Sequence, residues 1–293
     1  MSNTDQRATP AARALRPPGA PRPSTYPAAV VRQLNTLTTE FYAREAASFS
    51  ATRQAPWRGW EKAWEVIAAA DPTFAARPLS VLDLGCGNLR FERFLVERTQ
   101  GPVTVRALDN CAALAEEDTA LLPERFALEF REVDLVERLL SDPLSPLAEP
   151  GASDVAVAFG LMHHLPTLAL RARVLRELTS ALRPGGFAIV SFWQFLNDFR
   201  LAAKAEATTA QGRAEHDLPS FRENDFLLGW QEARHIYRFC HHTPDAEVNA
   251  LLAGAQRELA RAGSPDPAFR EVTRFSADGK AGNLNRYVVL QRA

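Results

Sequence analysis

Three acids, two glycines and a pair of adjacent histidines carry most of the chemistry this chain can offer. Gly85 and Gly87 follow the apolar run Val81-Leu82-Asp83-Leu84 and precede Phe91, Phe94 and Leu95 at helical spacing, so they lie on a strand-to-helix turn. Without side chains there, backbone N–H groups can approach a ligand, and the helix that follows presents its positive end. A glycine pair after a strand also makes an ordinary tight turn, and no Gly-Lys-Ser or Gly-Lys-Thr follows to form a triphosphate loop. Asp83, Asp109 and Asp134 each close an apolar run, and Asp109 lies 22 residues after Gly87. A carboxylate at that distance can accept from both hydroxyls of a ribose. Asp134 can accept from an adenine amino group, and Asp83 can hold the glycine turn or meet an ammonium through water. Acids at strand ends are also common helix caps. His163 and His164 follow a fourth apolar run. An imidazole can take the proton of a hydroxyl or amine acceptor, and a loop histidine bonded to backbone is the plain alternative.

The elements that must hold these residues alternate. Val81–Leu84, Val103–Leu108, Ala127–Val133, Val155–Phe159 and Phe187–Phe192 read as strands, and Leu168, Leu175, Leu178 and Leu182 as a helix stopped by Arg183-Pro184-Gly185-Gly186. Strands alternating with helices imply a parallel sheet covered on both faces, with the crevice at the C-terminal strand ends. Before the sheet, residues 28–76 form a helical cap. Val30, Val31, Leu34, Leu37 and Phe41 recur at helical spacing, as do Trp57, Trp60, Trp64 and Ile67. Trp60 and Trp64 read as an aromatic stripe packed on the sheet. Arg53, in the polar joint between the two helices, can clamp a carboxylate with its planar fork or serve as a surface or capping residue.

Residues 195–262 are an insertion with helices at Phe195–Ala210 and Asp245–Ala262, and with His216, His235, His241 and His242 in or near the polar stretch between them. No metal is expected there, because a sequential His241-His242 pair points two ways and lacks matching cysteines. Trp230, Arg238 and His241 are the substrate candidates: a base can stack on the indole, and the arginine can meet a carboxylate or phosphate. Core packing also accounts for Trp230 taken alone.

Composition limits the alternatives. Lys+Arg 34 against Asp+Glu 35 leaves a net charge of -1, so no global basic field marks the chain for nucleic acid. With 46% hydrophobic residues, 293 positions suffice for one large core. Cys86, Cys111 and Cys240 are too scattered for a disulfide framework, which fits a reducing interior. Residues 1–27 hold six prolines and four arginines against one acid and read as a disordered tail. No signal-peptide core and no apolar run of ~18 residues occurs, so a cytoplasmic protein with no membrane partner is expected.

Taken together, Val81-Leu-Asp-Leu-Gly-Cys-Gly-Asn88, Ala107-Leu-Asp109 and Leu182-Arg-Pro-Gly-Gly-Phe-Ala-Ile-Val190 resemble the class I S-adenosylmethionine-dependent methyltransferases over about residues 57–193. The resemblance implies a Rossmann-like α/β fold, a mostly parallel seven-stranded sheet with helices on both faces, closed by an antiparallel hairpin from Arg270–Phe275 and Leu284–Leu290. It implies S-adenosylmethionine as cofactor, with Gly85 and Gly87 facing its methionine part, Asp109 its ribose and Asp134 its adenine; Asp83, Arg53 and Phe159 complete the expected set. Leu89 stands where these enzymes often carry a third glycine.

A narrower similarity runs through Tyr42, Phe49-Ser50-x-Thr52-Arg53-x-x-Pro56-Trp57, Leu161-Met-His163-His164-Leu165-Pro-Thr167, Asp225-Phe-Leu-Leu-Gly-Trp230 and Arg238-Phe-Cys-His241. These segments look like the tRNA wobble-uridine carboxyl methyltransferases, which esterify 5-carboxymethyluridine. The likeness implies tRNA as partner, with a small activator protein as in eukaryotic relatives, and adds Trp57 and His163 to the substrate residues. Phe239 and Cys240 replace two tyrosines of that family, so with the near-neutral net charge a small-molecule O- or N-methyltransferase is the first alternative, and Leu89 in the glycine turn makes a non-catalytic cofactor-binding module the second. A carboxylate acceptor needs no general base; with a hydroxyl or amine acceptor, His164 is the catalytic candidate.

Overall fold

The computed structural model describes residues 25–119, 122–231, 233–263 and 268–293. The expected tail lies outside the described residues up to residue 24. Tyr26, assigned to that tail, is instead buried, and its hydroxyl donates to Asp225 at 2.8 Å.

Helices α1 (Ala28–Ala51) and α2 (Arg58–Ala70) form the cap. The sheet layer follows as β1 (Leu79–Leu84), α3 (Arg90–Arg98), β2 (Val103–Asp109), α4 (Ala112–Thr119), β3 (Phe126–Glu132), α5 (Leu135–Ser141), β4 (Ser153–Ala158), α6 (Leu168–Ala181) and β5 (Leu182–Trp193). After α7 (Phe199–Glu215) come β6 (Asp225–Leu228), β7 (Arg238–His241), α8 (Asp245–Arg261), β8 (Phe269–Ala277) and β9 (Asn285–Arg292). Seven strands make one sheet in the order β3-β2-β1-β4-β5-β9-β8, parallel from β3 to β5 and antiparallel at the β9 and β8 edge. Chain order reverses between β1 and β4, so their C-terminal ends open the crevice.

Strand alternation builds two cores. Val81, Val105, Val157 and Ile189 point to one face, where Trp60, Trp64, Phe91 and Phe94 of α2 and α3 cover them. Leu82, Leu108, Ala156 and Val190 point to the other, under Val174, Leu178 and Leu251 of α6 and α8. The tryptophans of α2 are thus a packing stripe, as their spacing indicates.

Two readings change. The helix does stop before Arg183-Pro184-Gly185-Gly186, at Ala181, but that segment is the irregular first part of β5, with a register shift against β4, so the strand begins earlier than expected. The insertion is not simply two helices over the crevice. β6 and β7 form a separate antiparallel pair, Asp225 opposite His241 and Leu228 opposite Arg238, and α8 packs beside α6 in the main helical layer. The hairpin docks on α1, where the Phe239 N–H donates to Thr38 Oγ1 at 3.0 Å.

α2 is locked to the sheet edge at Gly59. A Cβ there would lie 2.1 Å from the Tyr287 ring, whose hydroxyl donates to Asp278 at 2.6 Å while Asp278 also accepts from the Gly59 N–H. The tyrosine cannot swing aside without losing that bond. Gly59→Ala is therefore expected to destabilise the fold by about 1–3 kcal/mol in urea unfolding, the usual cost of overpacking.

Candidate active site

Backbone geometry fixes the floor of the crevice. Gly85 (φ +79) and Gly87 (φ +56) occupy left-handed conformations, and the Gly85 N–H donates to the Leu108 carbonyl at 2.7 Å, tying the turn to β2. No atom lies within 4 Å of where a Gly87 Cβ would stand, so the turn faces open space. Leu89 takes the next left-handed position (φ 52), and its side chain is buried in the α2–α3 core. That conformation costs roughly 1–2 kcal/mol for a residue with a Cβ. Burial of a leucine offsets it at about 1.5–3 kcal/mol, so the missing third glycine does not open the turn.

The three acids behave differently. Asp109 accepts from the Gly87 N–H at 2.8 Å and the Cys111 N–H at 3.0 Å, and lines the crevice. Burial raises its pKa, and those two N–H bonds pull it back. Asp83 also lines the crevice at 1% exposure, and its Oδ1 meets no hydrogen-bond donor. Asp134 caps α5 by accepting from the Glu137 N–H at 2.9 Å, while its other oxygen accepts from Asn35 Nδ2 at 2.6 Å. For Asp134 the helix-cap alternative holds, although the residue still lines the crevice beside Leu114, Val133 and Leu135.

The cap supplies the opposite charge. Asn88 donates to Ser50 Oγ and to the Arg53 carbonyl, and Arg90 Nη1 to the Ala55 carbonyl, so the joint between α1 and α2 is fastened to the glycine turn. Arg53 and Arg90 line the crevice; Arg238 stands behind Arg53 at 5% exposure. Their guanidinium groups rest on aromatic faces: Arg53 3.9 Å from Phe49, Arg90 4.9 Å from Trp57 and Arg238 4.3 Å from Phe41. Burial first, then neighbouring arginine charge, lowers Arg53 and Arg90 to about 10 each. Among the described residues none of the three forms an ion pair, and the Arg238 Nε and Nη1 have no acceptor.

His164 is held by two bonds. A carbonyl can only accept, so Nδ1 donates to the Phe239 oxygen at 2.7 Å, which leaves Nε2 to accept from the Tyr42 hydroxyl at 2.9 Å. Burial, reinforced by Arg238, pushes its pKa down to about 3. His164 lines the crevice as a neutral imidazole whose lone pair is already taken.

The structure thus brings Arg53, Trp57, Asp83, Gly85, Gly87, Asp109, Asp134, Phe159 and His164 onto one crevice. Of the expected substrate residues Trp57 lines it, whereas His163, Trp230, Arg238 and His241 do not. The His163 ring packs between His164 and Trp193. His241 is buried between Asp225 (2.6 Å) and Glu247 (3.0 Å), and Glu247 also binds Arg171, so it braces the hairpin against α6 and α8. Trp230 stands one layer back, its Nε1 donating to Ser48 and its ring 4.9 Å from the Arg53 guanidinium. His163, His164 and Cys240 place possible ligand atoms within 4.8 Å of one another, but both His164 nitrogens are committed to protein partners. Sequence reasoning missed Arg90. A cation in the first turn of a helix opposes the macrodipole, and that misfit was the available signal.

Residues 82–188 match the family model described as a methyltransferase domain. The chain is 24% identical over 219 residues to the tRNA (carboxymethyluridine(34)-5-O)-methyltransferase of Xenopus tropicalis, covering 67% of this chain and 31% of that one. The mouse protein of the same name is 24% identical over 168 residues, covering 55% and 20%. The chain therefore spans less than a third of the length of either relative. In fold it is similar to the 1,6-didemethyltoxoflavin-N1-methyltransferase of Burkholderia thailandensis, solved with S-adenosylhomocysteine: TM-score 0.54, 17% identity, 95% of this chain and 93% of that one.

Residues 82–188 thus carry the likeness to a methyltransferase domain, and the fold around them is that of the Rossmann-like methyltransferases.

The residues present fit S-adenosylmethionine as the cofactor. The unobstructed turn at Gly87 admits the methionine part, Asp109 keeps spare lone pairs for ribose hydroxyls, and Asp83 offers an unmet acceptor to positive charge in the ligand. Asp109 also holds the turn, so its loss acts twice. A hydroxyl bonded to a carboxylate contributes about 1.5–3 kcal/mol. Asp109→Ala is accordingly expected to weaken cofactor binding roughly 100-fold or more by calorimetry, with the unfolding midpoint reporting separately on the fold.

Proposed function

We propose that this methyltransferase esterifies a carboxylate acceptor, and that the acceptor is the carboxymethyl group of a modified wobble uridine in tRNA. The observation that carries the reading is Arg238, a buried guanidinium beside the crevice with two nitrogens lacking acceptors and no carboxylate partner among the described residues. Such a group left without an anion costs several kcal/mol, a cost that a bound carboxylate removes through two parallel N–H···O bonds. The frog and mouse relatives carry that acceptor in their names.

The bound cofactor supplies a methyl group on a sulfonium, which is displaced in line. Arg53 stands at the crevice for the cofactor's carboxylate, and Arg238, behind it, for the acceptor's. The aromatic faces of Phe41, Phe49 and Trp230 keep water from both guanidiniums and strengthen their attraction for anions. Trp57 gives a uracil ring a surface for stacking. His164 orients Tyr42 and takes no proton, since a carboxylate acceptor is already ionised and the imidazole lone pair is occupied. Alignment of acceptor and donor accounts for the catalysis, an effect that reaches about 7–11 kcal/mol.

A second reading, methylation of a small organic acid, is favoured by the net charge of -1 and by the burial of Phe239 and Cys240, which offer no phenolic surface to RNA. Incubation with labelled donor and either bulk tRNA or an extract of small acids separates the two. Base-labile label in nuclease-sensitive material, with the ester identified by nucleoside mass spectrometry, supports the tRNA reading; label confined to the acid extract overturns it.

Arg238→Met removes a charge that no described group neutralises, so folding and cofactor affinity are expected to persist. The transition-state stabilisation read from kcat/KM for the acceptor is expected to fall by about 2–5 kcal/mol. At saturating cofactor the rate on a carboxylate acceptor is expected to stay level between about pH 6 and 8, because a histidine depressed to about 3 contributes no limb there. A limb centred near the ordinary histidine pKa in stopped-flow or steady-state profiles would instead assign a base.

A further inference from the structure

Behind the glycine turn, the first turn of α3 carries Glu92 at 0% exposure, and neither of its carboxyl oxygens has a hydrogen-bond donor among the described residues. It faces Asp83, whose Oδ1 is likewise unmet, and the two side chains lie within hydrogen-bonding reach of each other. Ionised carboxylates only accept, so a bond between them requires a proton on one. Buried together, two like charges cannot both ionise near neutrality. Asp109 adds negative pressure from the neighbouring strand, Arg93 on α3 opposes it, and the Cys86 thiol beside them is held neutral by burial and by the same acids. Burial, then Glu92, drives Asp83 well above the carboxylate range, and burial brings Glu92 up to about 7. Asp83 forms part of the crevice wall, so the pair senses the charge of what binds there.

We propose that Asp83 and Glu92 share one proton in the free enzyme, release it when the sulfonium cofactor binds, and regain it around the uncharged thioether product. The proton leaves to solvent through the crevice, from the Asp83 side. Glu92 is thereby a positioning residue: it sets the charge state of Asp83 without touching the ligand. The cofactor has one positive charge more than the product, so the pair favours the donor by charge and lets the product go. Because donor binding selects the deprotonated pair, its affinity falls as pH drops below the pair's titration, and product affinity does not.

The inference rests on the cofactor assignment, and one calorimetric series tests both. S-adenosylmethionine and S-adenosylhomocysteine are titrated into the full chain from pH 5.5 to 7, where both ligand amines are mostly protonated, in two buffers of different protonation enthalpy. The expected result is release of close to one proton with the donor at pH 6 and none with the product. Donor affinity is expected to fall up to about ten-fold per pH unit while product affinity stays level. In Glu92→Gln the amide donates to the Asp83 carboxylate and the shared proton is lost, so the pH slope of donor binding is expected to flatten. Tight binding of both ligands with equal slopes and equal proton counts overturns the inference and leaves the cofactor assignment standing; no heat with either ligand overturns both. The wild-type comparison decides even where the variant does not fold.

Discussion

The bond from the Gly87 N–H to Asp109 is the contact on which the crevice depends. It joins the turn after β1 to the end of β2, two strands that already share six registered pairs, and so fixes where the strand ends stop and the ligand space begins. Gly87 can make it only in a left-handed conformation, which is why a glycine stands there. One carboxylate thus completes the turn and still has capacity to receive a ligand. Fastened to this turn by Asn88 and Arg90, the joint between α1 and α2 takes its position from the same contact.

Charge in the crevice is divided by layer. The sheet supplies acids at its strand ends, Asp83, Asp109 and Asp134, while the cap supplies Arg53 and the hairpin, behind the crevice wall, Arg238. The two sets do not pair with each other. Asp109 and Asp134 are satisfied by N–H groups, and the arginines lie on aromatic rings, which attract the cation without neutralising it. A site built this way is poised for a ligand with cationic and anionic parts, followed by a second anion.

Much of this was legible in the sequence, for reasons that vary by element. The alternation of Val81 with Leu82 and of Val155 with Ala156 gives buried strands a short apolar run, and the acids at their ends mark the crevice. The hairpin was not legible, because its strands have only four residues each and carry Asp225, Arg238 and His241 inside them. Those polar residues read as loop; tertiary partners make them strand, Tyr26 and His241 meeting Asp225 while Glu247 meets His241. Asp134 shows the opposite limit: nothing local distinguishes an acid that caps a helix from one that reads a ligand, since the same carboxylate at the same strand end faces both. His241 appeared free for substrate only because its two partners lie 16 and 6 residues away in the chain.

The neutral histidine and the unpaired arginine point the same way. Arg238 is among the causes that hold His164 uncharged, and burial beside Arg238 would make an imidazolium there costlier still. A site that had to remove a proton from its acceptor would need the reverse arrangement, an imidazole free at Nε2 and an anion nearby to stabilise its charged form. Here Tyr42 occupies Nε2 and a cation stands where that anion would be. The same field that disables a base attracts an acceptor that needs none, so the electrostatics that favour a carboxylate also disfavour a hydroxyl or an amine.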